Sequence, residues 1–235
     1  MRIVAAIPAR LNSTRLPKKL LRKICGKTLI VRTYEATVNS NLFDDVLVIT
    51  NSHEIVSELE NSKVKYIFDD ANYQTGTDRI AGVASKIEAD IIINVQGDEP
   101  FINPKDIVNL NNNIISKNSD IGTLGNKITK VDFIDKSIVK VITKDSIEKK
   151  RISRAKKFLR KCKNLKKNVY GHIGIYQFRT STLKKFVNLR QSKNEIKHSL
   201  EQLRAIENGI NIDVVYSKNK SFGIDTVEDL SLIHI

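Results

Sequence analysis

The chain has only two cysteines in 235 residues, Cys25 and Cys162. They fit no metal-binding or redox spacing, so a reduced, cytoplasmic protein is expected. No apolar run approaches the ~18 residues of a membrane span. The N-terminal "MRIVAAIPAR" lacks the extended hydrophobic region and small-residue cleavage site of a signal peptide. Neither glycine-rich phosphate signature, G-x-G-x-x-G or the Walker P-loop, is present. Acid is absent from one long stretch: residues 149–194 hold sixteen Lys or Arg and no Asp or Glu. The chain carries a net +14, so this block accounts for all of the excess and leaves the remainder net −2. Eleven of the sixteen fall in "KKRISRAKKFLRKCKNLKK" (149–167), where Phe158 is the single aromatic. Without interleaved stacking residues, a single-strand nucleic-acid surface is not indicated. A solvated basic loop is the favoured reading, and a polyanion patch is the alternative.

Forty per cent hydrophobic and 28% charged residues suit a soluble globular chain, long enough to bury a sizeable core. "RIVAAI", "DVLVIT" (45–50) and "DIIINV" (90–95) are near-continuous apolar runs, the pattern of a parallel sheet covered on both faces. "VKYIF" (64–68) is a further strand. Helical spacing predicts helices over 29–39, 52–61, with Ser52 as N-cap, and 78–88. The alternation gives an α/β class with a doubly wound, mainly parallel sheet. After residue 120 the rhythm changes. "DIGTLGNKI", "SIVKVITKD" and "NVYGHIGIYQFR" read as strands of a mixed-sheet insertion, about 125–195. Residues 193–209 then read as one helix ending at Gly209, followed by the strand "NIDVVYS" and a last helix capped near Asp225 or Thr226. With no repeat or long linker, one compact unit over residues 1–235 is expected. The closing "LSLIHI" ends that helix without a cap, as in a helix cut short.

Ligands of an open parallel sheet sit beyond the carboxyl ends of its strands. There the chain places "IPARLNSTRLPKKLL" (7–21), where Arg10, Arg15 and Lys19 are cationic donors and Ser13 and Thr14 supply hydroxyls. Arginine forks with a lysine point charge suit a polyphosphate. "NVQGDEP" (94–100) follows a buried strand; Gly97 permits a tight turn and Asp98 and Glu99 follow it. Hard carboxylate oxygens facing a cationic phosphate loop are a magnesium arrangement, and "FGIDT" (222–226) offers a second carboxylate, Asp225. "YQTGTDR" (73–79) offers Gln74, Thr75 and Arg79 to a polar ligand. "GHIGIYQFR" (171–179) places His172 and Tyr176 on one face of a strand. In "EQLR" (201–204), Glu201, Gln202 and Arg204 have surface salt bridging as their plainest explanation.

Taken together, "IPAR…STRLP.K", "QTGTDR", "NVQGDEP", "HIGIY", "EQLR" and "GIDTVEDL" resemble the 3-deoxy-manno-octulosonate (Kdo) cytidylyltransferases, or CMP-Kdo synthetases, in their order and approximate spacing. The likeness runs from residue 3 to about 230. The glycine-serine-lysine loop usual in CMP-sialic acid synthetases is absent. The resemblance implies a nucleotide-diphospho-sugar transferase-like fold. It implies transfer of CMP from CTP to the anomeric hydroxyl of an acidic 3-deoxy sugar, for lipopolysaccharide precursor synthesis, with pyrophosphate released and Mg²⁺ as cofactor. It assigns Lys19, Asp98 and Asp225 to catalysis, with Asp98 and Asp225 on the metal. Arg10, Ser13, Arg15, Lys19, Gln74 and Arg79 fall to CTP, and Gln96, His172, Tyr176, Glu201 and Gln202 to the sugar. A homodimer built on the insertion is implied too, with no nucleic-acid partner. Four departures stand out: Lys18 replaces a glycine, "SKNE" (192–195) lacks the proline of "SPLE", His198 stands at an expected glutamate, and Ser153 and Arg154 survive from an "SRxxIP" stretch that has lost its proline. An 8-amino-Kdo or nonulosonic-acid enzyme, or a non-catalytic relative binding nucleic acid through the basic block, are the alternatives.

Overall fold

The computed structural model describes residues 1–162, 167–221 and 223–231. Its contacts separate two compact units, Met1–Ile107 with the segment from Ser221 onward, and Val108–Lys220. The expected cut-off of the last helix falls on residues 232–235, outside the described residues, as do positions 163–166 of the basic block.

In the first unit, β1 (Ile3–Ala9) leads through a short hairpin, β2 (Lys23–Ile24) and β3 (Lys27–Thr28), into α1 (Leu29–Val38). The order continues β4 (Asp45–Thr50), α2 (His53–Asn61), β5 (Tyr66–Phe68), α3 (Gly76–Gly82) and β6 (Ile91–Asn94). The strands pair in the order β5-β4-β1-β6, all parallel, with Val4 opposite Asp45 and Ile3 opposite Ile91. Every residue of β6 and all but Pro8 of β1 are buried, the reason these runs are continuous rather than alternating. Ser52 caps α2 as expected, accepting from the Ile55 amide at 3.4 Å. The helix expected over 78–88 begins earlier and ends earlier. Thr75 caps it by accepting from the Asp78 amide, and past Gly82 the chain runs on in tight i→i+3 turns. α4 (Pro104–Lys117), whose residues from 108 belong to the second unit, was not foreseen. It is rich in asparagine, which weakens propensity, but Asn103 accepts from the Lys105 amide at 2.9 Å just ahead of Pro104.

The second unit continues with β7 (Ile121–Asn126), α5 (Lys130–Ile134), β8 (Lys140–Thr143), α6 (Ile147–Lys150), β9 (Ile152–Leu159) and β10 (Val169–Arg179). α7 (Thr180–Val187), α8 (Lys193–His198), α9 (Gln202–Glu207) and β11 (Ile212–Ser217) complete it, and α10 (Val227–Ser231) belongs to the first unit. The sheet is mixed. β11 pairs parallel with β7, and the antiparallel pairs β7–β10, β10–β8, β8–β9 and β9–β11 close the pairings into a ring.

Two expectations are corrected. The basic block is no loop over its first half: residues 152–159 form β9, which buries Ser153, Ala155 and Phe158 and leaves Lys156 and Lys157 exposed. Adjacent strand residues alternate faces, and the register irregularity against β8, where Lys156 is the extra residue between the Ala155 and Lys157 pairings, lets both neighbouring lysines reach solvent. The single helix expected over 193–209 is two helices, broken at Ser199, which holds a left-handed φ of 50°.

Candidate active site

In the first unit, the loop leaving β1 is pinned by Leu16 and Leu20, both buried, and ends in a single 3-10 turn over Lys19–Leu21. The turn starts from Lys18 at φ 52° and ψ 36°, a left-handed conformation that explains why glycine suits this position. Lys18 neither crowds the loop nor adds a cation to it: its Nζ lies 2.5 Å from Glu54 Oε2, at the start of α2. Lys19 points the other way. Its side chain is 13% exposed, and Nζ donates to Asp98 Oδ2 at 2.5 Å and Asp225 Oδ1 at 2.8 Å. Arg15 Nη2 sits 3.1 Å from Asp225 Oδ2. Burial pulls the Lys19 pKa down, but the charge of Asp98 and the hydrogen bonds to both carboxylates outweigh it and hold the ammonium above its ordinary value.

The two aspartates meet because the segment after Ser221 is stitched to the turn after β6. The Ile224 amide donates to Asp98 O at 3.0 Å, and Ser221 Oγ donates to the Glu99 carboxylate. Asp229 Oδ2 accepts from the Asp225 and Thr226 amides at 2.9 Å each, fixing the aspartate ahead of α10. Gly97 serves close approach rather than a left-handed turn: a Cβ there would stand 3.2 Å from Pro8 O and 3.4 Å from Leu20 Cδ1. Thr33 Oγ1 donates to its carbonyl at 2.9 Å. Glu99, read from sequence as the second acid of the pair facing the phosphate loop, is pushed up to about 7 by burial first and by the Asp98 and Asp225 charges, against the Ser221 hydrogen bond.

Arg79, on α3, is 6% exposed, and its Nη1 has no hydrogen-bond partner among the described residues. Its guanidinium stacks 5.6 Å from the Tyr73 ring centroid, while Tyr73 Oη donates to Asp69 at 2.7 Å. Burial lowers the Arg79 pKa, Asp69 opposes this, and Arg10 adds repulsion, so a second cation bears on the buried one. A buried, unpaired guanidinium is costly unless an anion or acceptor meets it. Gln74 is exposed beside it, and Ser13 is half-buried along the loop. Gln96 donates through Nε2 to Asn94 Oδ1 at 3.4 Å.

In the second unit, His172, Tyr176, Glu201 and Gln202 gather. Register along β10 shifts by two residues between Ile173 and Tyr176, so parity survives the irregularity and the two rings stay 5.4 Å apart. Thr123 Oγ1 lies 2.9 Å from His172 Nε2, and Phe158 meets the imidazole edge-on. Burial drives the His172 pKa down to about 3, keeping it neutral. Burial, then the Glu201 charge, holds the Tyr176 phenol well above its ordinary value. Tyr176, Glu201 and Gln202 share a cavity of about 10 Å³, room for one water at most.

Arg204 corrects the surface reading of "EQLR". It is 2% exposed, and its Nη2 and Nε reach Glu195 at 2.6 and 3.0 Å, with the guanidinium 4.7 Å from the Phe186 ring centroid. Glu195 also completes a capping box with Ser192, so α8 starts well without the missing proline, whose place at the first helical position Lys193 occupies. Sequence could have flagged this through S-x-x-E at 192–195, but not its partner. His198 is exposed in the last turn of α8.

Asp98 and Asp225, both bonded to one ammonium, are close enough to share one hard cation, and their oxygens are the donors magnesium prefers. Among the described residues no group of three or more His, Cys, Asp or Glu stands ready to hold a metal. Such a cation would therefore draw its remaining ligands from phosphate oxygens and water.

Residues 4–214 match the family described as cytidylyltransferase. The 3-deoxy-manno-octulosonate cytidylyltransferase of Flavobacterium johnsoniae is 39% identical, covering 98% of this chain and 96% of its own. That of Geobacter metallireducens is 36% identical, with 99% and 96% covered. A solved CMP:2-keto-3-deoxy-manno-octonic acid synthetase complexed with CTP superposes with a TM-score of 0.90 at 32% identity, over 99% of this chain and 97% of that one. A cytidylyltransferase from Leptospira borgpetersenii, 19% identical with a TM-score of 0.63 over 97% and 83%, shares the fold.

Proposed function

The chain belongs to the 3-deoxy-manno-octulosonate cytidylyltransferase family, and from that premise we propose how its residues transfer CMP from CTP to Kdo, releasing pyrophosphate. The observation that carries the reading is the Lys19–Asp98–Asp225 cluster at the carboxyl ends of β1 and β6. The anomeric oxygen of the sugar forms a bond to the α-phosphorus. The bond from that phosphorus to the pyrophosphate oxygen breaks, and the hydroxyl proton is lost to water.

Such transfers need positioning and charge neutralisation more than covalent help. Arg15 and Lys19 balance the phosphates while the aspartates hold them in place, and Arg10 and Ser13 extend the cradle. Arg79 offers its unpaired Nη1 to the nucleotide, with Gln74 alongside. Asp98 and Asp225 would hold Mg²⁺, which would neutralise the phosphate oxygens when bound. On the sugar side, Gln96, Glu201 and Gln202 give donors and acceptors. His172 binds as a neutral imidazole, by hydrogen bonding and not by charge, and Tyr176 as a neutral phenol. The enzyme works in the cytoplasm on the route to lipopolysaccharide, as a homodimer through its second unit. Exposed Val131 (77%), Ile134 (79%) and Ile196 (65%) on α5 and α8 support that association.

Pyrophosphate release from CTP, with and without Kdo and Mg²⁺, tests the reading. Release should need all three, and Asp98→Asn should lower kcat by about a hundredfold or more. Undiminished turnover in Asp98→Asn would remove the carboxylate from the mechanism.

A further inference from the structure

The start of the basic block, Lys150 to Arg154, lines a separate cavity together with Lys117 and Lys144, which lie outside the block. In the second unit an open cavity of about 600 Å³ is bordered by Lys117, Lys144, Lys150 and Arg154, with Asp145, Ser153 and one aliphatic residue, Ile152. It lies where the end of α4, the turn between β8 and α6, and the start of β9 meet. Four cations face two nearby carboxylates, and both carboxylates are already engaged. Fully buried Asp213 binds Lys117 Nζ at 2.7 Å, Arg154 Nε at 3.1 Å and Ser119 Oγ at 2.6 Å. Asp145 pairs with Lys150 at 3.2 Å, and its amide donates to Ser153 Oγ at 2.9 Å. Buried Asp213 therefore acts as an anchor that holds Lys117 and Arg154 at the cavity wall, while Lys144 and Lys150 are exposed, Lys150 through a solvent-facing ion pair with Asp145 that a ligand can exchange for. The balance at the wall is an excess of two positive charges. No aromatic ring lines it, so it has no platform for a base or a sugar ring.

We propose that this cavity is a binding site for an oligophosphate anion, bound through its phosphate oxygens. Its size lies within the range of small-molecule sites, and arginine and lysine are the residues that recognise such groups. Two sources share this chemistry, free pyrophosphate and the triphosphate tail of a nucleotide. An occupied site would bridge α4, α6 and β9, three elements that meet at the cavity.

The test is calorimetric titration of the full chain with inorganic pyrophosphate at fixed ionic strength. Two equivalents are expected per chain, one at the candidate active site and one here. Lys144→Gln/Lys150→Gln should weaken one equivalent tenfold or more and leave Kdo-dependent turnover at low pyrophosphate unchanged. Lys184→Gln/Lys185→Gln, the same charge change at exposed positions of α7, should leave both equivalents in place. The same titration with CTP separates the sources: a second CTP equivalent lost in the Lys144/Lys150 variant supports the site and adds the nucleotide tail as an occupant. A single pyrophosphate equivalent in the unmodified chain overturns the proposal, as does equal weakening by the α7 variant. Tight binding of a short DNA duplex, abolished by Lys144→Gln/Lys150→Gln, also overturns it in favour of an extended polyanion surface. Failure of the transferase reading would show separately, as loss of Kdo-dependent release in the unmodified chain.

Discussion

Replacing Arg204 by methionine leaves Glu195 buried without its partner, and the loss can be worked from the contacts. Glu195 is 3% exposed and Arg204 2%, and the guanidinium engages both carboxylate oxygens through Nε and Nη2. Breaking a buried pair from one side costs about 3–5 kcal/mol, mostly the penalty of the stranded charge. For a chain of this size that is on the order of 10 °C in Tm. Glu195→Gln removes the carboxylate that the guanidinium engages and should also destabilise, although the amide can still accept from the Ser192 amide and keep part of the capping box. The double variant, Glu195→Gln/Arg204→Met, strands no charge. It should lose less than either single change, because a methionine fills the space against Phe186 and the glutamine amide needs only local partners. Urea unfolding of all four chains, read as a double-mutant cycle, checks this. Additive losses, with the double variant the least stable, would refute the claim that charge stranding dominates. The pair also ties α8 to α9, which carries Gln202 and follows Glu201. The single variants should therefore raise KM for the sugar more than KM for CTP.

Three further outcomes follow from the same geometry. His172, neutral down to about pH 3 in the folded chain, binds fewer protons than an unfolded histidine of pKa about 6.5. Its contribution is complete above pH 6.5 and lost as pH falls through that window, about 2 kcal/mol by pH 5. His172→Gln should flatten that part of the stability–pH curve, and an unchanged slope would refute the burial argument. Lys18→Gly should change stability by less than about 1 kcal/mol, since relief at φ 52° is offset by the freer unfolded chain and a lost exposed ion pair. CTP KM should not move, and a severalfold rise would place Lys18 on the phosphates. Gly97→Ala should cost about 1–3 kcal/mol by pressing a methyl against Pro8 O and Leu20. Thermal unfolding reads it, and a neutral result would mean the turn yields easily.

The amino-acid sequence alone determined the parallel half of the protein. Continuous β-branched runs such as Ile91–Ile93 can only be buried on both faces, and that property belongs to the local chain. The positions of Lys19, Asp98 and Asp225 after such strands could be read because strand ends are a local feature too. Other features were decided only by tertiary contacts. "KHSLEQ" contains no glycine or proline, yet the helix breaks at Ser199, and the buried Glu195–Arg204 pair is then made across the break. The basic block looks like a loop by charge, but pairing with β8 and β11 makes residues 152–159 a strand, because ladder hydrogen bonds and the burial of Ala155 and Phe158 outweigh its polarity. Lys18 stands where the family has a glycine, and its charge is taken by Glu54, 36 positions away, a partner that no local pattern announces. Periodicity is written in neighbouring residues, whereas the partner of a buried charge is chosen by residues far along the chain, so only the folded structure reveals it.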